Sequence, residues 1–167
     1  MKRIVLMLAV IAPCLLHLQA SAVDDGAVEA AAPDFVLKST AGPNLRLSEF
    51  RGEVAVVVFW ASWCGECRAQ LQQFEELHQA YGDSGLRMLT VSLDARIEQA
   101  ADTAAALGLS IPVLHDARGE VAELYEVDDL PLVVYVDRDG DARERLEGYT
   151  RAERERFVES LRVLLRE

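Results

Sequence analysis

The sequence is poor in cysteine and in basic side chains, and each shortage excludes a class of protein. Three cysteines in 167 residues, at positions 14, 64 and 67, cannot build the disulfide framework of a small secreted scaffold. The 17 basic residues are outnumbered by 28 acidic ones, which gives a formal net charge of −11. This balance argues against a nucleic-acid partner, because phosphate binding needs clustered lysine and arginine. Hydrophobic residues make up 51% of the chain, so it can bury a core, and its length fits one domain plus a processed end.

The N-terminus carries the features of an export signal. Two basic residues precede an apolar run over 4–18, and the small-x-small pattern Ala20-Ser21-Ala22 follows it. The run is shorter than the roughly 20 residues of a membrane-spanning helix. We therefore predict a signal peptide over 1–22 and a periplasmic or otherwise extracytoplasmic protein. Two membrane-attached alternatives stay open: an uncleaved signal, or a lipid on Cys14, whose surroundings loosely resemble an acylation site.

Beyond position 22 the chain alternates predicted strands and helices. Residues 23–32 are small and acidic without periodicity, so we expect a flexible lead-in, followed by one domain over 33–167. The continuous apolar run over 54–60 predicts a strand covered on both faces. The other predicted elements are a hairpin about the turn 41–44, a helix after the cysteines that ends at Gly82, a strand over 86–93, a helix over 97–107, a short strand over 111–114, a helix after Gly119, a strand over 132–136, a turn at 137–140 into a strand over 142–146, and a helix opened by a capping box at Thr150. This alternation predicts an α/β sheet with helices on both faces.

The pair Cys64 and Cys67 lies between the predicted buried strand and an amphipathic helix. Unpaired N–H groups and the positive end of the helix dipole favour an anion there, so Cys64 should be more acidic than a free thiol. Residues three apart on a helix are close enough for a reversible disulfide. A purely structural disulfide would close so short a loop that it would stabilise little. A zinc site needs three or four ligands, yet the chain has no second C-x-x-C pair, and its only histidines beyond position 22 are His78 and His115, so we expect no metal and no cofactor.

Four stretches of the chain carry a family resemblance: 33–35 at the predicted hairpin, 47–52, 57–67 around the cysteines, and Leu130-Pro131 before a strand that ends at 137–140. With them the chain from Pro33 onward resembles the thioredoxin superfamily, and specifically its exported TlpA/ResA-like branch of thiol-disulfide oxidoreductases. The resemblance implies a thioredoxin-like fold, with a central mixed β-sheet, an N-terminal β-hairpin and an inserted strand-helix unit. It also implies that Cys64 and Cys67 form the redox disulfide.

The same resemblance assigns roles near the cysteines. Pro131 should be a cis-proline that faces the disulfide, the backbone of Leu130 should pair with an extended substrate, and Trp63 should present an apolar surface over the thiols. The sequence departs from the family in its acids. Glu66 replaces the usual proline before the second cysteine, and Val58 and Gln70 stand where relatives often hold a buried acid. We therefore expect Glu66 or water to move protons at the active site, although Glu66 could equally be a solvated charge at the helix start.

The resemblance and Glu66 together favour net reduction of disulfides in cysteine-bearing exported proteins, such as apocytochrome c, by a monomer recharged by a membrane thiol electron donor. Alternatives of the same fold are a thiol oxidase or isomerase, or a non-catalytic metal-delivery module. A metal-delivery module would need a longer spacing between its cysteines and a histidine late in the chain, but no histidine follows His115. A peroxiredoxin would need a threonine and a proline where Ala61 and Val57 stand.

Overall fold

The computed structural model describes residues 27–148 and 150–167 of the chain. Within them one sheet of eight strands is packed against four α-helices, and short 3-10 helices lie at Leu47–Phe50 and Gly82–Ser84. The strands are β1 Ala27–Ala31, β2 Val36–Ser39, β3 Asn44–Arg46, β4 Val54–Trp60, β5 Leu86–Ser92, β6 Val113–His115, β7 Leu132–Val136 and β8 Asp141–Glu147. The helices are α1 Gly65–Tyr81, α2 Ile97–Leu107, α3 Glu120–Leu124 and α4 Arg151–Leu164.

The sheet is mixed, with the strand order β1-β8-β7-β4-β5-β6-β2-β3. The central strands β4, β5 and β6 run parallel, and the remaining neighbours pair antiparallel. The hairpin β2–β3 and the unit formed by α2 and β6 are the predicted N-terminal hairpin and inserted strand-helix unit. Because β4 and β5 are parallel, their carboxyl ends meet at one edge of the sheet, and the chain enters α1 from that edge.

Strand β4 is buried on both faces, as its continuous apolar run predicts. Its even-numbered residues pack into a core with α1, α2 and α4, and its odd-numbered residues pack into a second core with α3 and the hairpin. Side chains of a strand alternate between the two faces of a sheet, so one seven-residue run supplies both cores. The prediction of helices on both faces is confirmed.

The predicted lead-in over 23–32 is wrong for its second half. Ala27–Ala31 forms the edge strand β1, which pairs with β8 through Ala30 opposite Ala142 and Ala31 opposite Asp141. Ala32 is buried, and its N–H group donates a hydrogen bond of 3.0 Å to the carbonyl of Gly140. An alanine-rich segment shows no apolar alternation, so only its partner strand identifies it. The folded unit therefore begins no later than Ala27.

One strand boundary also differs from the prediction. β6 begins at Val113 rather than at 111, since Ile111 donates its N–H group to the Glu75 carboxylate and Pro112 has no N–H group to pair. The helices over the described residues lack the combination of length and hydropathy that a bilayer span requires. The predicted signal peptide over 1–22, with Cys14, lies outside the described residues.

Candidate active site

The two cysteines lie where β4 passes into α1. Cys64 is the N-cap residue of α1, and its sulfur accepts a hydrogen bond of 3.1 Å from the Cys67 N–H group. The two sulfurs form a disulfide with a Cα–Cα distance of 5.3 Å. Cys64 keeps 8% of its surface exposed, whereas Cys67 is fully buried at 0%. In this disulfide form, Cys64 is therefore the one of the two cysteines with accessible surface. The N-cap position offers the Cys64 sulfur an N–H group and the positive end of the helix dipole, which both favour a thiolate.

Pro131 lies at the edge of the sheet from which β4 leads to the cysteine pair. The Leu130–Pro131 peptide bond is cis, as the resemblance implied. β7 pairs antiparallel with β4, with Leu132 opposite Phe59. One residue further along this register, Pro131 reaches the carboxyl end of β4, four residues before Cys64. Leu130 is partly buried and packs against both cores.

Trp63 and Glu66 are on the surface next to the cysteines. The Trp63 side chain is 72% exposed, an unusual fraction for the largest apolar side chain, and it directly precedes Cys64. Glu66 is the second residue of α1, is exposed, and takes part in no ion pair or hydrogen bond with the described part of the chain. An apolar surface and a solvated carboxylate thus flank the entrance to Cys64.

The two positions where relatives often carry an acid are both buried here. Val58 is fully buried in the middle of β4, and Gln70 is 4% exposed one turn after Cys67 on α1. Among the described residues, the side-chain oxygen Oε1 of Gln70 has no hydrogen-bond partner. Gln70 lines a small cavity together with Val133, Leu146 and Phe157. Gln70 is therefore the buried polar side chain nearest in sequence to Cys67, and it cannot take up a proton.

Three buried carboxylates, those of Glu75, Asp94 and Asp116, were not predicted from the sequence. Glu75 on α1 accepts hydrogen bonds from the N–H groups of Ser110 and Ile111 at 2.8 and 3.2 Å, and from the Ser110 hydroxyl. Asp94, just beyond β5, accepts hydrogen bonds from the backbone and hydroxyl of Ser62. An acid on the apolar face of an amphipathic helix and an acid at the carboxyl end of a buried strand are the signals that could have found them.

His78 and His115 lie in packed positions of the fold, and neither is placed as a reacting group. His115 Nε2 lies 2.8 Å from the carbonyl oxygen of Asp94, and His78 is half-buried on α1. Within the described ranges no three histidine, cysteine or acidic side chains converge as a metal site would require. The chemistry that these residues can perform is therefore exchange between a thiol pair and a disulfide.

Comparison with known proteins agrees with this geometry. Residues 28–158 match the model of the AhpC/TSA family. The chain is 31% identical to the thiol-disulfide oxidoreductase ResA of Geobacillus kaustophilus over 137 residues, which cover 81% of this chain and 79% of ResA. It is 30% identical to the structure of a thiol:disulfide interchange protein DsbE from Chlorobium tepidum, with a TM-score of 0.79 over 83% of this chain and 97% of the other. The exposed lipoprotein thioredoxin of Streptococcus pneumoniae is 29% identical, with a TM-score of 0.66 over 79% of this chain and 100% of the other.

These matches confirm the thioredoxin-like fold and a thiol-disulfide redox function, and they show that the protein is an enzyme. The chain belongs to the AhpC/TSA family of the thioredoxin superfamily and is, like its ResA relatives, a thiol-disulfide oxidoreductase of the protein-disulfide reductase type.

Proposed function

We propose that this protein works outside the cytoplasm and reduces disulfides in exported proteins through its Cys64–Cys67 dithiol. The observation that carries the proposal is the difference in exposure between the two cysteine residues, 8% for Cys64 against 0% for Cys67, at the start of α1. A large substrate can contact Cys64, whereas Cys67 is buried and would react only with Cys64. Cysteine-bearing exported proteins such as apocytochrome c are the substrate class.

The reaction consists of two successive thiol-disulfide exchanges, which together transfer two electrons from the enzyme to the substrate. The Cys64 thiolate attacks one sulfur of the substrate disulfide, the substrate S–S bond breaks, and the departing substrate thiolate takes a proton. The Cys67 thiolate then attacks the Cys64 sulfur and releases the second substrate thiol. The substrate gains two electrons, and the enzyme is left with the Cys64–Cys67 disulfide. A membrane thiol donor would return the two electrons by the reverse exchange.

Substrate contact would come from both sides of Cys64. Trp63 offers an exposed apolar surface on one side, and on the other the backbone at Leu130 and Pro131 would pair with an extended segment of the substrate. Such pairing recognises a backbone rather than a sequence, which suits a reductase of many unfolded partners.

The net direction follows from Glu66. A carboxylate next to the cysteines destabilises the Cys64 thiolate and offsets the stabilisation that the helix dipole gives it. The reduced form is then less stable relative to the disulfide, so the protein is a stronger reductant. With Gln70 unable to carry a proton, Glu66 or water would exchange protons with the thiols. Replacement of Glu66 by proline should therefore raise the reduction potential, measured against a glutathione redox series.

The extracytoplasmic location is supported by the basic-apolar-small order of residues 1–22 and by the similarity to an exposed lipoprotein. Fractionation of cells that express the full chain, with mass spectrometry of its N-terminus, tests it. A mature start at Val23 would establish cleavage, and a lipid on Cys14 would establish the membrane-attached alternative. Recovery of the uncleaved chain in the cytoplasm would overturn the proposal.

The decisive experiment on the mechanism uses two matched variants, Cys64→Ser and Cys67→Ser. The first should abolish insulin reduction, and the second should accumulate mixed disulfides with exported proteins that can be identified after alkylation. The double variant is the control for non-specific capture. Retained reduction by Cys64→Ser, or capture by that variant instead of Cys67→Ser, would contradict the proposed order of attack.

The same measurements separate the alternatives. A thiol oxidase or isomerase would have a reduction potential well above that of a reductase, and a metal-delivery protein would be purified with metal and would not reduce insulin. A peroxidase is not supported, because buried Ala61 and Val57 occupy the positions of its threonine and proline.

A further inference from the structure

A buried polar cluster joins the carboxyl ends of β4, β5 and β6, next to the loop 61–64 that leads from β4 to Cys64. Its centre is Asp94, which is 1% exposed. The two carboxylate oxygens accept hydrogen bonds from the Ser62 N–H group at 3.1 Å, from the Ser62 hydroxyl at 2.6 Å and from the Ser92 hydroxyl at 2.8 Å. His115 Nε2 donates to the Asp94 carbonyl at 2.8 Å. In each of these contacts the Asp94 carboxylate is the acceptor, so both of its oxygens are held by donors from the loop after β4 and from β5.

Asp94 is bound to the loop that carries Cys64. The Cys64 N–H group donates to the carbonyl of Ala61 at 3.1 Å, so residues 61–64 form a tight turn with Ser62 inside it. The Leu93 N–H group donates to the Trp60 carbonyl at 2.9 Å, which fixes the base of the loop to the end of β5. Ser62 is two residues from Cys64, so their Cα atoms are at most about 7 Å apart, and the carboxylate that Ser62 binds is on the order of 10 Å from the Cys64 sulfur.

We propose that Asp94 is a positioning residue of the redox centre: its carboxylate holds the loop before Cys64 and places a fixed negative charge behind that sulfur, which favours the thiol over the thiolate. Glu66 is solvated and its charge is screened by water, whereas the Asp94 charge is buried and is screened much less. The inference rests on the assigned exchange chemistry and gives the proposed reducing direction a second, buried cause.

Other charges at this end of the sheet act on the same sulfur and must be held constant in the test. Arg68 donates to the Ser62 carbonyl at 3.1 Å and opposes Asp94, and the helix dipole of α1 does the same. Within the described residues, further charged or titratable side chains follow the same strand ends or precede β7: Glu66 on the first turn of α1, Arg96 after β5, His115 at the end of β6, and Asp128 and Asp129 before β7. A single isosteric change at Asp94 leaves all of them in place.

The test compares Asp94→Asn with Asp116→Asn in the reduced full-length protein. The side-chain amide introduced by Asp94→Asn can still accept from the Ser62 N–H group and donate to a hydroxyl, so the substitution removes the charge and keeps the loop bonded. Asp116 is the matched control, since it is also a buried aspartate and caps α3 through the N–H groups of Val121 and Ala122, two strands away from β4. The measurement is the rate of iodoacetamide alkylation of Cys64 against pH.

We expect the midpoint of the alkylation profile to fall by about one pH unit in Asp94→Asn, from the Coulomb energy of a charge at this distance in a protein-like dielectric. At pH 7 the dithiol–disulfide equilibrium should shift by up to about tenfold, or ~30 mV toward the oxidising side. Asp116→Asn should shift the midpoint by no more than about half as much, because Asp116 follows β6, two strands away from β4. Ser62→Ala removes one bond and no charge, so it should keep the midpoint but slow disulfide reduction about two- to tenfold.

Equal midpoints in wild type, Asp94→Asn and Asp116→Asn would overturn the electrostatic role, and an unchanged rate in Ser62→Ala would overturn the positioning role. If Asp94→Asn does not fold, NMR of the wild-type protein provides the test. The carboxyl carbon resonance of Asp94 should shift over the pH range in which Cys64 titrates, and a constant resonance would refute an electrostatic interaction between the two groups. Both results are independent of whether Cys67→Ser captures exported proteins, so failure of the proposed function and failure of this inference are distinguishable.

Discussion

Replacement of Glu75 should destabilise the protein in a pH-dependent manner, because this buried carboxylate ties α1 to the segment before β6. Glu75 is 7% exposed. It accepts from the N–H groups of Ser110 and Ile111, from the Ser110 hydroxyl, and from Gln79 Nε2 at 2.8 Å. The contacts with Ser110 and Ile111 join residues 35 and 36 positions apart, so they stabilise tertiary structure rather than the helix alone.

The size of the effect depends on what replaces the carboxylate. Glu75→Gln can keep the geometry, because the Ser110 hydroxyl and the Gln79 amide can both turn to accept. Charge-assisted hydrogen bonds then become neutral ones, and we expect a loss of about 1–3 kcal/mol in the free energy of unfolding. Glu75→Leu leaves two buried backbone N–H groups without an acceptor, and at about 1–3 kcal/mol for each we expect a loss of about 3–5 kcal/mol.

The pH dependence has a definite sign. Burial raises the pKa of Glu75, but the hydrogen bonds from Ser110, Gln79 and Ile111 outweigh it and hold that pKa below its ordinary value. A carboxyl whose pKa is lower in the folded state stabilises the protein above its unfolded pKa, and this contribution disappears as the pH falls through the folded pKa. The difference between wild type and Glu75→Gln should therefore be complete at pH 7 and shrink in acid.

Urea unfolding followed by circular dichroism, on the oxidised protein at several pH values, measures this difference. The matched control is Glu76→Gln, an exposed neighbour on the same helix with the same change of charge, which should cost less than about 0.5 kcal/mol. Equal stabilities of the two variants at pH 7, or a Glu75→Gln effect that does not change with pH, would refute the reasoning.

Three further predictions concern the active site and the domain boundary. Trp63→Ala should lower kcat/KM for a protein disulfide but leave the reduction of a small disulfide and the urea midpoint nearly unchanged, because the side chain is 72% exposed; an equal loss on both substrates would contradict a docking role. Gln70→Glu places a carboxyl in a 4% exposed site, where burial raises its pKa, so the variant should match wild-type stability near pH 4 and lose stability as pH rises through the raised pKa; urea midpoints from pH 4 to 8 check this. A chain that starts at Ala32 should unfold about 2 kcal/mol more easily than one that starts at Ala27, and should associate in size-exclusion chromatography, because loss of β1 exposes the edge of β8; identical behaviour would restore the flexible lead-in.

Local sequence patterns determined the central elements and the redox pair. The bounds of β4, α2 and β7 agree with prediction to the residue, because apolar runs and helical periodicity record which side chains are buried, and burial is what stabilises these segments. The cysteine pair and the cis bond before Pro131 were also accessible, the first from spacing before a helix and the second through the family resemblance.

Only the tertiary structure decided what lies around that pair. β1 exists because β8 offers it an edge, and its alanines give no apolar alternation of their own. Asp94 and Ser62 are 32 residues apart, and Glu75 and Ser110 are 35 apart, so the hydrogen bonds that allow these acids to be buried connect segments that no local pattern relates. In the sequence, a carboxylate that will be buried cannot be distinguished from a surface carboxylate, because its hydrogen-bond donors lie in distant segments of the chain. The sequence therefore shows which atoms react, and the fold places the buried charges that act on them.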